Sequence, residues 1–336
     1  MISRKFSFTQ KTVQYYFDAD FRDLKQLIPI DKAIIITDEN VAAQHQKKLK
    51  GWNTIVIKAG EDYKNEGTVH SIIEQLIGLH ADRKSVLIGV GGGVVTDITG
   101  YVASVYMRGI SFGFVPTTLL AMVDACIGGK NGIDVGDYKN MVGTINQPDF
   151  LLYDVGFLKT LPHSQWRNGF AEVIKHAAIK DLPMFKELEN FSILKYGKNK
   201  IALQNLIRRN ALLKTKVVQQ DEFEKDERRK LNFGHTLGHA IEKQYDLLHG
   251  EAVSIGMAFA AKLSHQLIAF KGADRLLSLI EQYELPTQLD YDADKAFDLL
   301  QHDKKQESNW MNFVLLEKLG KATVEKIPLS ILRNYL

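Results

Sequence analysis

The sequence has 336 residues, 45% hydrophobic and 25% charged, which is the composition of an ordinary globular protein with a sizeable core and about two domains. A formal net charge of +3, with no long basic run, argues against nucleic acid as a partner and is compatible with an anionic substrate. The one cysteine, Cys126, excludes an internal disulfide and predicts a reducing, cytoplasmic location.

The pattern of apolar residues predicts neither a signal peptide nor a membrane-spanning segment. The first ten residues contain no apolar run, so we expect no signal peptide. The longest apolar stretch, residues 252–270, carries Lys262 and His265. It therefore predicts a buried core helix, and we expect no membrane association.

In chain order, the first half alternates short apolar, β-branched runs with helical patterns. Strands are predicted for residues 32–37, 53–58, 85–90, 112–116 and 149–154. Residues 67–81, between the second and third of these runs, show helical spacing. Because strands buried on both faces are apolar along their whole length, the alternation predicts an α/β fold with a parallel sheet.

The second half shows helical spacing and few strand signals after Leu161. A late hairpin is predicted over residues 309–327, turning at Leu319 and Gly320. We therefore predict an α/β domain over residues 1–158 and a mainly α-helical domain over residues 159–336. Clefts between domains commonly bind ligands.

A glycine-rich turn follows the third predicted strand, in the sequence SVLIGVGGGVVTD. Glycines 91–93 stand where the strand ends, and a helix is predicted over residues 94–107, with Gly109 as its C-cap. Glycines at a helix N-terminus let backbone N–H groups approach a pyrophosphate. The spacing departs from GxGxxG, so a tight turn without a ligand stays an alternative. Asp97 is either a dipole-favoured acid or a partner for ligand hydroxyls.

A loop over residues 116–143 places Asp124, Lys130, Lys139 and Asn140 in apolar, glycine-rich sequence. Two lysines nine residues apart, near a candidate phosphate turn, predict a clamp for anionic oxygens. An ordinary surface loop with solvated lysines is the alternative.

Three of the ten histidines, His235, His239 and His249, lie within fifteen residues. Positions four apart share a helix face, but HTLGH lacks the glutamate of HExxH, which argues against a zinc peptidase. A catalytic zinc needs three protein ligands and an open position, and Glu172, with Lys175 three residues later on an apolar helical run, is a candidate carboxylate ligand. Spacing alone does not choose among these candidates.

Taken together, these segments resemble the 3-dehydroquinate synthases of the sugar-phosphate cyclase superfamily. The resemblance runs from about Thr37 to past Lys305. It is carried, in the family's order, by GGGVVTD, YMRG, VPTTLLAMVDACIGGK, YKNMVG, GFAEVIKH, RRKLNFGHTLGHAIE and LHGEAVSIGM. It implies a Rossmann-like NAD-binding domain with a parallel sheet, a helical C-terminal domain, an active site in the cleft between them, and a homodimer.

The activity that the resemblance implies is that of a phosphate-eliminating lyase of the shikimate pathway. It converts 3-deoxy-D-arabino-heptulosonate 7-phosphate, a phosphorylated sugar acid, to 3-dehydroquinate and phosphate, with transient oxidation by NAD. Zinc or cobalt would activate the substrate oxygen.

The family's site residues map onto this sequence motif by motif. The metal ligands would be Glu172, His235 and His249, with His239 a neighbour of the substrate. The NAD-binding set would be Asp38, Asn40, Glu61, Lys64, Gly92, Gly93, Val94, Asp97, Thr117, Thr118, Lys130, Lys139, Phe157 and Thr160. The substrate-binding and catalytic set would be Asp124, Lys130, Lys139, Asn140, Lys175, Lys214, Arg228, Asn232 and His239. Arg108 would reach the phosphate across the dimer, and Lys304 or Lys305 would add a C-terminal contact.

One loop departs from the family's pattern. The family usually reads like GKTG(V/I)NxPxGKN, and this chain reads GKNGIDVGDYKN, so that Asn131 replaces threonine, Gly136 replaces proline and Tyr138 replaces glycine. TINQP, residues 144–148, also replaces a more aromatic stretch. Because tyrosine rarely adopts a positive φ, we expect Gly136 to make the turn that the family's glycine makes two positions later, with the substrate unchanged.

Three other functions remain open from the sequence. The first is another cyclase of the superfamily, making 2-deoxy-scyllo-inosose or a valiolone. The second is a metal-dependent alcohol dehydrogenase like glycerol dehydrogenase. The third is a non-catalytic NAD-binding module, against which the retained lysines and histidines argue.

Overall fold

The structure, a computed structural model, describes residues 1–136, 138–242, 244–302 and 309–335. Its β-strands are β1 (Ile2–Ser7), β2 (Thr12–Phe17), β3 (Ala33–Asp38), β4 (Asn53–Ile57), β5 (Val86–Gly91), β6 (Ser111–Pro116), β7 (Lys130–Val135), β8 (Tyr138–Ile145), β9 (Phe150–Leu152), β10 (Trp310–Lys318) and β11 (Lys321–Pro328). Its α-helices are α1 (Leu24–Leu27), α2 (Glu39–Gln44), α3 (Gln46–Leu49), α4 (Glu66–Gly78), α5 (Gly93–Val105), α6 (His163–Lys180), α7 (Leu182–Glu189), α8 (Ile193–Lys198), α9 (Lys200–Gln220), α10 (His235–Glu242), α11 (His249–Ile268), α12 (Ala273–Gln282), α13 (Ala293–His302) and α14 (Leu329–Leu332).

Contacts divide the described chain into two compact units. The first contains Met1–Pro162 and Lys200–Glu222, and the second contains His163–Asn199 and the described residues from Phe223 onward. The sequence analysis places the intervening helix α9 in the second domain, whereas its contacts lie with the first unit. One reason is that the hydroxyl of Thr215 hydrogen-bonds the hydroxyl of Tyr15 on β2, at 3.0 Å in a buried position.

The first unit is built on a sheet which, among the described residues, has seven strands in the order β1-β2-β9-β6-β5-β3-β4. β1 pairs with β2 antiparallel, and the remaining neighbours pair in parallel. β3, β5 and β6 are buried along almost their whole length. The predicted α/β fold with a parallel sheet is therefore confirmed, and its apolar runs have the expected cause, burial on both faces.

The sequence analysis does not predict two hairpins of this unit. β1 is exposed along most of its length, so it lacks the apolar run by which a buried strand is recognised. β7 and β8 form a separate antiparallel ribbon in the glycine-rich lysine loop. Their glycines and lysines are residues that strand patterns disfavour.

The second unit is mainly helical, as predicted, and adds the β10–β11 hairpin. Val314 pairs with Val324, and the strands turn after Lys318, as the predicted turn at Leu319 and Gly320 requires. Leu237 and Ile241 of α10 pack with Ala252 and Ile255 of α11 in one apolar cluster. This cluster fixes the two helices that carry the candidate histidine ligands.

The apolar stretch at residues 252–270 forms most of α11, and its residues from Ala252 to Ala258 are buried, as expected for a core helix. Lys262 is exposed on the same helix. Within the described part of the chain, the helices do not reach the combination of length and apolar character that a bilayer span requires.

Candidate active site

Three potential metal ligands converge in the second unit. Glu172 lies in the middle of α6 with a fully buried side chain, and His235 and His249 are the first residues of α10 and α11. The Nε2 atoms of the two histidines each lie 3.4 Å from the same oxygen of Glu172, Oε1. One ligand atom from each residue lies within 4.8 Å of the others. Two imidazoles and a carboxylate are the donor set that a catalytic zinc uses.

The electrostatics of these groups fit a cation. Burial, with the neighbouring Lys175 ammonium, holds the pKa of His235 well below its ordinary value, so its imidazole is neutral and has a lone pair to donate. Burial also favours the neutral form of His249, but Glu172 and Glu242 outweigh it and raise the pKa of this imidazole to about 9. Lys175 contacts the Glu172 carboxylate one helical turn along α6. A buried carboxylate beside two imidazoles is well satisfied by a divalent ion.

His239 lies on the same side of α10 as His235, as the spacing of four predicts. Its ring centroid is 5.2 Å from that of His235 and 6.4 Å from that of His249. A second set of three, His239, Glu242 and His249, also has ligand atoms within 4.8 Å of one another. Among the described residues, His249 thus belongs to two overlapping sets, and the one that the family resemblance implies contains the buried Glu172.

The start of α11, and with it His249, is held against α6. The Asn168 side-chain oxygen accepts a hydrogen bond from the Gly250 backbone N–H at 2.5 Å. Arg167 and Glu251 form an ion pair of 2.8 Å, and Glu251 also accepts from the Leu248 N–H at 3.2 Å. A Cβ at Gly250 would lie 2.5 Å from the carbonyl oxygen of Asn168, so glycine is required for this close approach.

Glycines also bring α10 and α11 together. A Cβ at Gly256 would lie 1.8 Å from the carbonyl oxygen of Gly234, and one at Gly238 would lie 3.0 Å from that of Ala252. Gly234 has a φ of +82°, which allows the sharp entry into α10. Backbone contact at these points sets the separation of the two helices that begin with His235 and His249.

The other predicted site residues of the second unit are largely buried charged or polar groups. Lys175 is 1% and Arg228 3% exposed, although both are cations. The Asn232 amide donates to the Glu224 carboxylate at 2.6 Å. Glu224 has a φ of +57° and was not identified from the sequence, because nothing in its spacing distinguishes it from a surface acid.

In the first unit, the glycine-rich turn joins β5 to α5 as predicted. The helix begins at Gly93 and ends at Val105, two residues before the predicted end. The prediction of Gly109 as its C-cap is wrong, because Tyr106 holds that position and Gly109, with a φ of +114°, caps the short 3-10 turn Tyr106–Arg108 that follows. A Cβ at Gly91 would lie 2.4 Å from the side chain of Val95, and one at Gly92 would lie 3.1 Å from Thr118. Glycine is therefore needed where the chain enters the helix, and the start of α5 is a suitable anion site.

Lys64 connects the predicted NAD-binding residues to the predicted substrate loop. Its ammonium lies 2.7 Å from Asp97, 3.7 Å from Glu61 and 2.7 Å from the side-chain oxygen of Asn140, to which it donates. Burial raises the pKa of Asp97, and Lys64 opposes that rise. Because Lys64 is only 4% exposed, these contacts are strong and hold three segments together.

The altered loop takes the conformation that its sequence predicts. Val135 pairs with Tyr138 across the β7–β8 ribbon, Gly136 has a φ of +56°, and Tyr138 belongs to the strand β8. The expectation that Gly136 takes over the turn is confirmed. Asn140 also has a positive φ, +54°, and its N–H donates to Asp134 at 2.7 Å.

Asn131, which stands where the family has threonine, ties the two ends of this ribbon together. Its amide donates to the carbonyl oxygens of Gly129 and Asn146, at 2.8 and 2.9 Å. A Cβ at Gly100 would lie 1.9 Å from the Asn131 oxygen, so α5 makes room for this side chain by having glycine there. Lys130 lies beside Asn131 at the start of β7.

The remaining predicted residues of the first unit fall into small groups. Lys214 of α9 pairs with the Asp124 carboxylate at 2.9 Å and donates to its backbone oxygen at 2.8 Å. The Phe157 ring lies 4.7 Å from the ring of His45, whose Nε2 is 2.8 Å from the hydroxyl of Thr160. His45 was not identified from the sequence.

Several predicted residues of the first unit make local backbone contacts. Asp38 caps α2 by accepting from the Val41 N–H at 2.9 Å, and Asn40 lies in that helix. Thr117 donates its N–H to Gly91, and the Thr118 hydroxyl accepts from Ala121. Val94 lies in the first turn of α5 and Lys139 lies in β8. The exposed Arg108, with a φ of +67°, lies just before Gly109. Lys304 and Lys305 lie outside the described residues.

Solved structures with the same architecture define the class of protein. The chain superposes on 2-deoxy-scyllo-inosose synthase, complexed with carbaglucose-6-phosphate, NAD+ and Co2+, with a TM-score of 0.87 over 99% of both chains, at 24% identity. It superposes on 2-epi-5-epi-valiolone synthase from Streptomyces hygroscopicus, with NAD+ and Zn2+ bound, with a TM-score of 0.86 over 99% of this chain and 96% of that one, at 27% identity. The fold is that of the sugar-phosphate cyclases.

Sequence comparison identifies the family within that class. Two family models, described as 3-dehydroquinate synthase N-terminal and C-terminal, match residues 54–168 and 169–306. The 3-dehydroquinate synthase of Pyrococcus abyssi is 43% identical over 84% of both chains, and that of Acetivibrio thermocellus is 37% identical over 95% of this chain and 93% of its own. The chain belongs to the 3-dehydroquinate synthase family.

Proposed function

We propose that this protein is a 3-dehydroquinate synthase that converts 3-deoxy-D-arabino-heptulosonate 7-phosphate to 3-dehydroquinate and phosphate in the shikimate pathway. The observation that carries the proposal is the convergence of Glu172, His235 and His249 on one point, in a chain of this family. The reaction class is that of a carbon–oxygen lyase, because phosphate leaves by elimination.

Glu172, His235 and His249 would hold a zinc or cobalt ion, which when bound supplies a Lewis acid for a substrate oxygen. The residues present fit this role because one buried carboxylate and two imidazoles, of which His235 is neutral, face one another. Lys175 contacts Glu172 directly and so places a positive charge at the edge of the site.

The glycine turn at the start of α5 would hold the pyrophosphate of NAD, which when bound supplies the acceptor and then the donor of one hydride. Asp97, near the first turn of that helix, and the buried Lys64 form an ion pair and would meet the cofactor's hydroxyls. The other residues of the proposed NAD site are Asp38, Asn40, Glu61, Gly92, Gly93, Val94, Thr117, Thr118, Lys130, Lys139, Phe157 and Thr160.

The chain's cations would bind the anionic ends of the substrate. Lys130 and Lys139 lie on a ribbon that Asn131 and Lys64 hold in place. Substrate binding by their ammonium groups therefore costs little conformational entropy of the ribbon backbone. Lys214 is oriented by two contacts to Asp124. Such groups orient the phosphate and the carboxylate, and a substrate held folded in this way is close to the geometry of the final ring closure.

Arg228, Asn232 and His239 complete the proposed substrate contacts in the second unit. Arg228 is buried without a loss of charge, because a guanidinium stays protonated in proteins. Asn232 is held by Glu224. His239 lies beside His235, where it can donate to or accept from the substrate rather than the ion.

The cofactor stoichiometry tests the reaction type. With heptulosonate phosphate as substrate, NAD supplied well below the substrate concentration should support complete conversion, and absorbance from NADH should not accumulate. One NADH formed per product would instead identify an ordinary dehydrogenase. In that case simple polyols should also be oxidised.

Other cyclase activities are disfavoured by the degree of similarity. The curated relatives named 3-dehydroquinate synthase are 37–43% identical, whereas the neighbours named 2-deoxy-scyllo-inosose and valiolone synthase are 24–27% identical. A solved structure named as a probable glycerol dehydrogenase from Sinorhizobium meliloti is 16% identical, with a TM-score of 0.62.

We also propose a homodimer in the cytoplasm. The β7–β8 ribbon exposes the apolar side chains of Tyr138, Met141 and Ile145, at 66%, 69% and 43%, and Met107 before Arg108 is 42% exposed. Large apolar side chains exposed in this number on one ribbon are typical of an interface, and the proposed occupant is a second copy of this chain. Sedimentation should give a dimer, and Met141→Glu should shift it to a monomer.

Arg108 would contact the phosphate bound by the partner subunit. Mixing two inactive variants, Arg108→Ala and Glu172→Gln, tests this directly. In a mixed dimer, one of the two sites then has both an intact Glu172 and an intact Arg108. Because equal mixing and subunit exchange make about half of the dimers mixed, about a quarter of the wild-type activity should return. No recovery would place Arg108 in the site of its own chain.

A further inference from the structure

Glu242, the last residue of α10, lies on the far side of the His249 imidazole from the candidate ion site. Its Oε2 is 3.6 Å from Nδ1 of His249, while Nε2 of the same ring is 3.4 Å from Glu172. Glu242 is 7% exposed. The His249 ring is therefore placed between two buried carboxylates, with one nitrogen towards each.

The position of Glu242 follows from the helix that carries His235. Residues seven apart on a helix lie on nearly the same face, so α10 directs His235 and Glu242 to one side. The close approach of α10 to α11 at Gly238 and Gly256 brings that side against His249. Helix α10 thus supplies both the candidate ligand His235 and Glu242, the carboxylate that faces the candidate ligand His249.

We propose that Glu242 is a positioning residue for His249, an inference that rests on the proposed metal site. From 3.6 Å, a small approach brings its carboxylate to hydrogen-bond distance from Nδ1–H of His249. That bond would fix the tautomer and leave the Nε2 lone pair directed towards Glu172 and the ion. Glu242 does not itself bind the ion, because one imidazole presents only one of its nitrogens to a given ion. An anionic acceptor behind a ligating histidine also increases the basicity of the ligand.

The test measures metal binding and needs no assay of activity. Zinc affinity is measured by competition with a chromophoric chelator for the wild type, Glu242→Gln and Glu242→Leu. We expect affinity to fall about 10- to 100-fold, with leucine worse than glutamine, because glutamine keeps an acceptor without the charge. Glu227→Gln is the control: Glu227 is partly buried and ion-paired with Lys180 and Lys230. The zinc affinity of this variant should stay within a factor of about two to three of wild type, on the order of experimental scatter.

Three further measurements separate positioning from folding. Melting of the metal-free proteins should be similar for wild type and Glu242→Gln, and the visible spectrum of the cobalt-loaded variant should change in position or intensity. In the zinc-loaded wild type, long-range proton–nitrogen NMR with labelled histidine should find His249 protonated at Nδ1, which requires no variant at all.

The outcomes that overturn the proposal are distinct from a failure of the metal site itself. Equal losses in Glu242→Gln and Glu227→Gln would mean a general electrostatic effect, and His249 protonated at Nε2 would reverse the assigned orientation. A cobalt spectrum that survives Glu172→Gln but disappears in Glu242→Leu would make Glu242 a ligand with His239. Absence of stoichiometric zinc binding by the wild type would remove the proposed site, and the inference with it.

Discussion

Replacing Gly256 by alanine should separate α10 from α11 and weaken both the fold and metal binding. The added Cβ would lie 1.8 Å from the carbonyl oxygen of Gly234 and 3.0 Å from the nitrogen of Gly238. Ordinary contact distances are about 3.5 Å, so the helices must move apart by more than about 1 Å. The neighbours are backbone atoms, and no side-chain rotation can relieve the contact.

The magnitude follows from two opposing effects. Overpacking a buried site costs about 1–3 kcal/mol and here belongs at the upper end, whereas alanine is better than glycine in a helix by about 1 kcal/mol. We expect a net loss of about 2 kcal/mol in the free energy of unfolding. Zinc affinity should fall as well, because His235 and His249 begin the two helices that are forced apart.

Urea unfolding followed by tryptophan fluorescence measures the effect, since Trp166 and Trp310 both lie in the second unit. Gly197→Ala is the matched control. Gly197 lies within α8 and has no atom within 4 Å of an added Cβ, so the same substitution should stabilise by up to about 1 kcal/mol. A Gly256→Ala protein as stable as the wild type would refute the claim that backbone contact sets the separation of these helices.

Three more results are expected. Lys139→Ala should remove about 2–3 kcal/mol of transition-state stabilisation for the heptulosonate phosphate, a roughly 100-fold fall in kcat/KM, because a charge-assisted contact to substrate is lost. Phosphate release measures the effect, and an unchanged kcat/KM would remove Lys139 from the site. Gly136→Ala should lower the stability measured by thermal melting by about 1 kcal/mol, because residue 136 has a φ of +56°, which alanine adopts poorly. Tyr138→Gly should leave the preferred substrate the same. Removal of metal by a chelator should abolish turnover and zinc or cobalt should restore it, and full activity of a demonstrably metal-free sample would contradict the proposed role of Glu172, His235 and His249.

Much of the fold is predictable from the sequence because its buried strands are unambiguous. β3, β5 and β6 are apolar throughout, and the glycines after β5 mark the start of α5. The β1–β2 hairpin and the β7–β8 ribbon are not predictable in this way, since their strands are exposed or rich in glycine and lysine. The contacts of α9 with the first unit depend on pairings such as Thr215 with Tyr15, which are 200 residues apart.

The site shows the same division between local pattern and long-range contact. The spacing of His235 and His239 predicts a shared helix face, and the structure has it. Spacing cannot reveal that His249 and Glu172 come within 3.4 Å, because the two residues are 77 positions apart and meet only through the packing of α6 and α11. Glu242 is missed for a related reason: its partner is on another helix.

Substrate choice is the most direct test of the proposed function. The purified enzyme, with NAD and zinc, is supplied separately with 3-deoxy-D-arabino-heptulosonate 7-phosphate, sedoheptulose 7-phosphate and glucose 6-phosphate, and phosphate and carbocyclic product are measured. Phosphate and a cyclic product should form with the heptulosonate phosphate alone. A preference for sedoheptulose 7-phosphate or glucose 6-phosphate would contradict the assignment and indicate a valiolone or 2-deoxy-scyllo-inosose synthase instead.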